Sequence, residues 1–350
     1  MPLVLDGDRY SARSEGHAAN CVTVGLINNM PDAALEATER QFTDLIRASA
    51  RHSPVRVMLF SIPQVPRGAA AHRDIAARYH DIGKMWDTRL DGLIVTGTEP
   101  KSKNLKDEPY WSALVQIIDW ARRNTLSTVW SCLAAHAAVL HSDGIERAPL
   151  AHKLSGVFDC APAGAHPMLN AVTPPMQVPH SRGNDLPERA LKEAGYRILT
   201  RSAAAGVDMF CRQEQSFHLF LQGHPEYEAD TLLREYRRDI GRYLRGERES
   251  YPAMPRGYFD EEAKIALDAF RARALAERSA DLLKSFPLHR LESGLAGGWR
   301  PSAIGIYQNW LDYLKGRKAE RPSPSAPRRR TWRDWPPRGA QLAATDGPVT

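Results

Sequence analysis

Cys132 closes the apolar run STVWSC that starts at Ser127, and LAAHAAVLH, a helix former rich in small residues, follows at once. A cysteine on a strand-to-helix turn sits on a sharp bend, and the helix behind it presents free backbone N–H groups and a partial positive charge. Such a turn can activate a thiol as a nucleophile and stabilise an oxyanion. The second candidate is Gly223-His224-Pro225-Glu226, directly after the apolar run FHLFLQ. His224 and Glu226 are two apart, so on extended backbone they start on one face, and a glutamate there can orient an imidazole that deprotonates a thiol or hydroxyl. Taken singly, a cysteine is more often core and a strand-end histidine more often structural. Their shared position at the C-terminal ends of two strands, where open α/β sheets place ligands, favours a site.

The elements that must position these residues alternate in type. Residues 22–27, 55–60, 92–96 and 127–132 are short, apolar and bounded by polar or turn residues, and read as buried strands. Residues 35–50 place Leu35, Phe42, Leu45 and Ile46 on one helical face, and Trp111, Leu114, Ile117, Ile118 and Ala121 form a second stripe. Alternation of this kind predicts an α/β fold, a mostly parallel sheet with helices on both faces. After residue 150 the pattern loosens. A helix is expected over 186–194, strands over 196–200, 207–211 and 217–221, and an amphipathic helix over 230–244 with Asp230 available as its cap. Residues 260–286 read as one long helix or two, and 304–314 as a short one.

Composition narrows the class further. The 350 residues are 43% hydrophobic and 25% charged, an ordinary globular profile. The formal charge of +6 would suggest polyanion partners, but nine Lys and Arg against three Asp and Glu fall in residues 315–350, which accounts for the whole excess. The body is formally neutral. The tail holds six prolines and too little apolar surface to offset ordering entropy, and is expected to be disordered. Cys21, Cys132, Cys160 and Cys211 show no CxxC spacing, so no zinc ribbon is read. The first residues lack a signal-peptide pattern, and no run reaches the ~18 apolar residues of a membrane span. A soluble, cytoplasmic protein without a bound metal is expected.

Four blocks together resemble a known family: DGLIVTG (91–97) with Tyr110-Trp111, the stretch 127–158, PHSR (179–182), and QGHPEYEADTLLREYRRD (222–239). They are similar to the class I glutamine amidotransferase fold and, in detail, to its acyltransferase relatives, the homoserine O-succinyltransferases and O-acetyltransferases of methionine biosynthesis. The resemblance runs from about Val22 to Leu314. It implies a glutamine amidotransferase-like acyltransferase domain over 1–250 and a helical C-terminal arm over 251–314, ahead of the basic tail 315–350.

Carried over residue by residue, the resemblance implies that Cys132 accepts the acyl group as a thioester, His224 accepts the proton and Glu226 orients it. It also implies that Lys153, Ser181 and Arg238 contact the amino acid. An arginine suits that role because its fork can hold a carboxylate through two parallel hydrogen bonds. Backbone N–H groups of Leu133 and of the Gly97-Thr98 turn are candidates for the oxyanion hole. The acyl-specificity position falls at Lys101, where a cation would favour a dicarboxylic acyl group. The implied reaction moves a succinyl group from succinyl-CoA to L-homoserine, with no bound cofactor and a homodimer as the assembly.

Two departures stand out. The family's segment after the first strand reads like NLMPKK, whereas here Asn28-Asn29-Met30-Pro31-Asp32 carries no lysine. His136 stands where glutamine is common, as a packed residue or a second base. The alternatives are acetyl-CoA as donor, glutamine hydrolysis by a relative whose GxCxGxQ elbow is absent here, and a regulatory protein whose tail, with Arg328 to Arg330, Trp332 and Trp335, touches nucleic acid. No nucleic-acid or membrane partner is expected.

Overall fold

The computed structural model describes residues 3–6, 21–51, 54–291, 295 and 297–320. A ten-stranded sheet runs through the molecule in the order β1-β3-β2-β4-β5-β10-β9-β8-β6-β7. Its first six members in that order are parallel: β1 (Leu3–Asp6), β3 (Val55–Phe60), β2 (Val22–Ile27), β4 (Gly92–Val95), β5 (Ser127–Ser131) and β10 (Phe217–Leu221). The remaining four, β9 (Gly206–Gln213), β8 (Arg197–Ser202), β6 (Ala148–Pro162) and β7 (Met176–Asp185), are antiparallel. The β6–β7 hairpin was not foreseen. Its polar stretch AHKLSG has no apolar run to announce it, and only the inner part of β6 is buried.

The alternating helices cover both faces, as the parallel strands require. Val22, Val24 and Leu26 pack with Phe42, Leu45 and Ile46 of α1 (Asp32–Ser49) and with Ala71 of α2 (Ala69–Arg78). On the opposite face Leu93 and Val95 pack with Met85 of α3 (Ile82–Asp87), Ile117 of α4 (Trp111–Asn124), Ala137 of α5 (Leu133–Asp143) and Leu191 of α6 (Glu188–Glu193).

A third core joins Leu232, Tyr236 and Ile240 of α7 (Thr231–Leu244) to Leu267 and Phe270 of α8 (Glu261–Ala276) and Leu291 of α9 (Leu288–Leu291). The stretch expected as one helix or two over 260–286 is α8 followed by a 3-10 turn, Ala280–Ser285. Asp260 caps α8 by accepting from Ala263 N at 2.8 Å. Asp230 does not cap α7; its carboxylate pairs with Arg234 at 3.1 Å instead.

The last helix, α10 (Arg300–Glu320), is longer than expected and crosses the sheet beside α1. Trp310 Nε1 donates to Ser127 Oγ at 2.9 Å, and Gly92 has no room for a Cβ, which would lie 2.6 Å from Leu314 Cδ1. Residues 315–320, expected in the disordered tail, are helical because Lys318 Nζ donates to Cys21 O at 2.8 Å and pairs with Asp91 Oδ2 at 2.7 Å. Residues 321–350, including Arg328 to Arg330, Trp332 and Trp335, lie outside the described residues.

Candidate active site

Cys132 is the single residue between β5 and α5, with φ 50° and ψ −112°. Positive φ at a residue with a Cβ costs about 1–3 kcal/mol and persists only where the surroundings impose it. They do so here. Cys132 N donates to Leu221 O of β10 at 2.7 Å, and Cys132 O accepts from Ala135 N at 2.9 Å. Gly97, just past β4, is pressed against the start of α5: a Cβ there would lie 2.9 Å from Leu133 N. Only glycine lets the Gly97-Thr98 backbone approach the first turn of α5, so Thr98 and Leu133 end up on the same cavity wall as Cys132.

His224 follows β10, and its backbone N–H donates to Pro179 O of β7 at 2.8 Å. Glu226 Oε1 lies 2.8 Å from Nδ1 of the His224 ring, which leaves Nε2 as the nitrogen for Cys132. Burial alone would lower the imidazole pKa; the Glu226 carboxylate and the Cys132 sulfur outweigh it and hold the value well above the ordinary one. Both neighbours therefore favour the protonated ring. Gly223 has no space for a side chain, because a Cβ would lie 2.6 Å from Asp208 Oδ1 and 3.0 Å from His180 Nε2. The loop that carries His224 thus rests on the buried His180–Asp208 pair, 3.3 Å apart.

The facing wall is charged. A register irregularity in β6 between Pro149 and Leu154 inserts the residues that carry Lys153, the way bulges re-aim side chains. Lys153 Nζ lies 2.9 Å from Asp239 Oδ2 and 3.6 Å from Glu235 Oε2. Ser181 Oγ on β7 donates to Glu235 Oε2. Arg238 Nε and Nη2 both donate to Asp239 Oδ1, at 3.0 and 2.9 Å. Burial would raise the Glu235 pKa, but Lys153 and the Ser181 hydrogen bond bring it below its usual range; Asp239 is lowered likewise, by Lys153 and Arg238. Cations and ionised carboxylates thus stand side by side, which matches an α-amino acid's two charges.

A cavity of about 400 Å³ brings together Cys132, His224, Glu226, Lys153, Ser181, Arg238, Leu133 and Thr98. Lys101 is not among its lining residues. Its side chain is exposed and its backbone N–H donates to the buried Glu108 at 2.6 Å, so the loop turns Lys101 outward and leaves Glu99 and Pro100 on the wall. Sequence reasoning missed Glu235 and Asp239. Their signal was present: they stand four apart on α7, one helical face, with Arg238 beside them. His136 is a packed residue at the cavity floor, bonded to Gln222 Oε1 at 3.0 Å, with its pKa pushed by burial down to about 3. Where the family's lysine is missing, Asp32 Oδ2 accepts from Gly68 N at 2.9 Å, so that position fastens a loop.

A family model described as homoserine O-succinyltransferase matches residues 9–320. The homoserine O-succinyltransferase of Rhodopseudomonas palustris is 50% identical over 294 residues, covering 84% of this chain and 88% of its own length. That of Bradyrhizobium japonicum is 47% identical over 324 residues, covering 90% and 99%. Among solved structures, a glutamine amidotransferase from Methylobacillus flagellatus aligns at 15% identity with a TM-score of 0.46, over 85% of this chain and 96% of that one.

Proposed function

The chain belongs to the homoserine O-succinyltransferase family, and on that premise we propose that it carries a succinyl group from succinyl-CoA to the hydroxyl of L-homoserine through a thioester on Cys132. The observation that supports this chemistry is the His224 ring held between Glu226 and Cys132, beside a wall that presents Lys153, Arg238, Glu235 and Asp239.

In the first half-reaction the Cys132 thiolate attacks the thioester carbon of succinyl-CoA. The N–H groups of Leu133 and Thr98 are the donors for the oxyanion. Collapse expels the coenzyme A thiolate, which takes the proton from the His224 imidazolium and leaves as the free thiol. Acylation also removes the negative charge on Cys132 that helped hold that proton, so the neutral ring is ready to act as a base.

In the second half-reaction the homoserine carboxylate lies between Lys153 and Arg238, with its ammonium toward Glu235 and Ser181 fixing the acid. His224 takes the hydroxyl proton, the oxygen attacks the acyl carbon, and the Cys132 thiolate departs to restore the starting ion pair. Acyl-CoA is a co-substrate here, not a resident cofactor. The family resemblance supports a homodimer acting in the cytoplasm; no helix among the described residues is long and apolar enough to cross a membrane.

Intact-mass spectrometry after mixing with succinyl-CoA tests the route. Wild-type protein should gain a succinyl adduct that homoserine discharges, and Cys132→Ala should gain none while losing about 1,000-fold or more in turnover. Near-normal turnover by Cys132→Ala would reject the thioester.

A further inference from the structure

Six Lys and Arg side chains line the cavity: Arg147, Lys153, Arg182, Arg238, Arg242 and Arg248. Five of them are matched by carboxylates. Lys153, Arg238 and Arg248 share Asp239, Arg182 pairs with Asp185 at 2.9 Å, and Arg242 pairs with Glu99 at 2.7 Å. Arg147 has no carboxylate within 4 Å among the described residues; its Nη2 donates to a neutral carbonyl, Lys103 O, at 3.0 Å. A half-buried guanidinium on a cavity wall with one of its five N–H donors engaged keeps four and a full charge, and an anion there gains charge-assisted, two-pronged hydrogen bonds.

The position of Arg147 selects which anion. It follows the C-terminal end of α5 by four residues and lines the same cavity as Cys132. The hydrogen bond to Lys103 ties it to the loop after Gly97, whereas Lys153 and Arg238 are held by Asp239 of α7. A four-carbon acyl group on Sγ is short, so only a cation close to that sulfur can meet its far end.

Resting on the acyl-transfer reading above, we infer that Arg147 binds the distal carboxylate of the succinyl group and sets the preference for a dicarboxylic acyl donor. It takes the part that sequence reasoning gave to Lys101, which points away from the cavity.

The test compares succinyl-CoA with succinamyl-CoA, its neutral amide analogue, in wild-type, Arg147→Gln and Arg147→Lys proteins, reading kcat/KM for each donor, KM for homoserine and the thioester adduct on Cys132. A hydrogen-bonded charge pair of this kind corresponds to a preference of about 10- to 100-fold for the acid over the amide in wild type. Arg147→Gln should shrink that preference to below about threefold and leave the homoserine KM unchanged, while Arg147→Lys, which keeps the charge but loses the fork, should fall between wild type and Arg147→Gln. A Gln variant with the wild-type preference overturns the inference and leaves the acyl-transfer reading standing. A Gln variant that slows both donors alike, or raises only the homoserine KM, does the same and places Arg147 on coenzyme A or on the amino acid. Wild-type protein that transfers no succinyl group from succinyl-CoA sinks the acyl-transfer reading and the inference with it.

Discussion

The Tyr227 ring lies over the His224 imidazole, with centroids 4.3 Å apart and planes 18° from parallel, while its hydroxyl donates to Glu235 Oε1 at 2.9 Å. One side chain thereby touches both the His224 ring and the Glu235 carboxylate. Trp299 Nε1 fixes the same residue from outside, donating to Tyr227 O at 2.9 Å. With Glu226 on its edge and Tyr227 on its face, the His224 ring has little freedom to tilt, which favours a fixed proton path.

Glu226 should be visible in the pH profile. Its carboxylate holds the His224 proton, so Glu226→Gln lets that proton leave at lower pH. The alkaline limb of kcat/KM for succinyl-CoA, which reports the free enzyme, should move downward by about one pH unit or more, with kcat falling roughly 100-fold. An unmoved limb would mean that another group titrates there.

The amino-acid wall should separate from the acyl step. Arg238→Lys breaks the paired hydrogen bonds that its fork makes and should raise the homoserine KM about 10- to 100-fold. Formation of the thioester, followed by mass in the absence of homoserine, should keep its wild-type rate.

Lys101 should be silent. Only its backbone N–H is engaged, so Lys101→Glu is expected to change the ratio of succinyl-CoA to acetyl-CoA use by less than about twofold. A marked loss of succinyl use in steady-state assays would show that its side chain reaches the acyl group after all.

Stability should depend on the last turns of α10. Asp91 is almost fully buried and is matched by Lys318 Nζ at 2.7 Å and Thr23 N at 2.9 Å. Lys318→Ala leaves that carboxylate without its cation and should cost about 3 kcal/mol in urea unfolding. Adding Asp91→Asn should recover part of the loss, because the charge left unmatched is then gone.

Much of this was legible in the residues. Five of the six parallel strands announced themselves because they are buried on both faces and read as continuous apolar runs, while β1, whose Val4 is exposed, was not expected; the positions of Cys132 and His224 at strand ends were read from the same runs. The β6–β7 hairpin did not, since its outer half is solvated and polar, and with it went the reason Lys153 and Ser181 meet α7. Lys101 was misplaced for a related cause. A gapless count along the loop after Gly97 gives chain position, but the turn that Glu108 imposes on Lys101 and Ser102 decides which side chains face inward. Arg147 escaped notice because an unmatched charge is a property of neighbours, which spacing does not show.

The placement of α10 sets an order on biosynthesis. Trp310 and Leu314 close the sheet face over Ser127 and Gly92, so a growing chain leaves that apolar surface bare until α10 has been made. Chains are made from the N-terminus forward, and exposed apolar sheet is what nascent proteins aggregate through. Every ribosome making this enzyme therefore passes through a long interval in which the strand leading to Cys132 is made but unroofed, and chaperone demand should fall there.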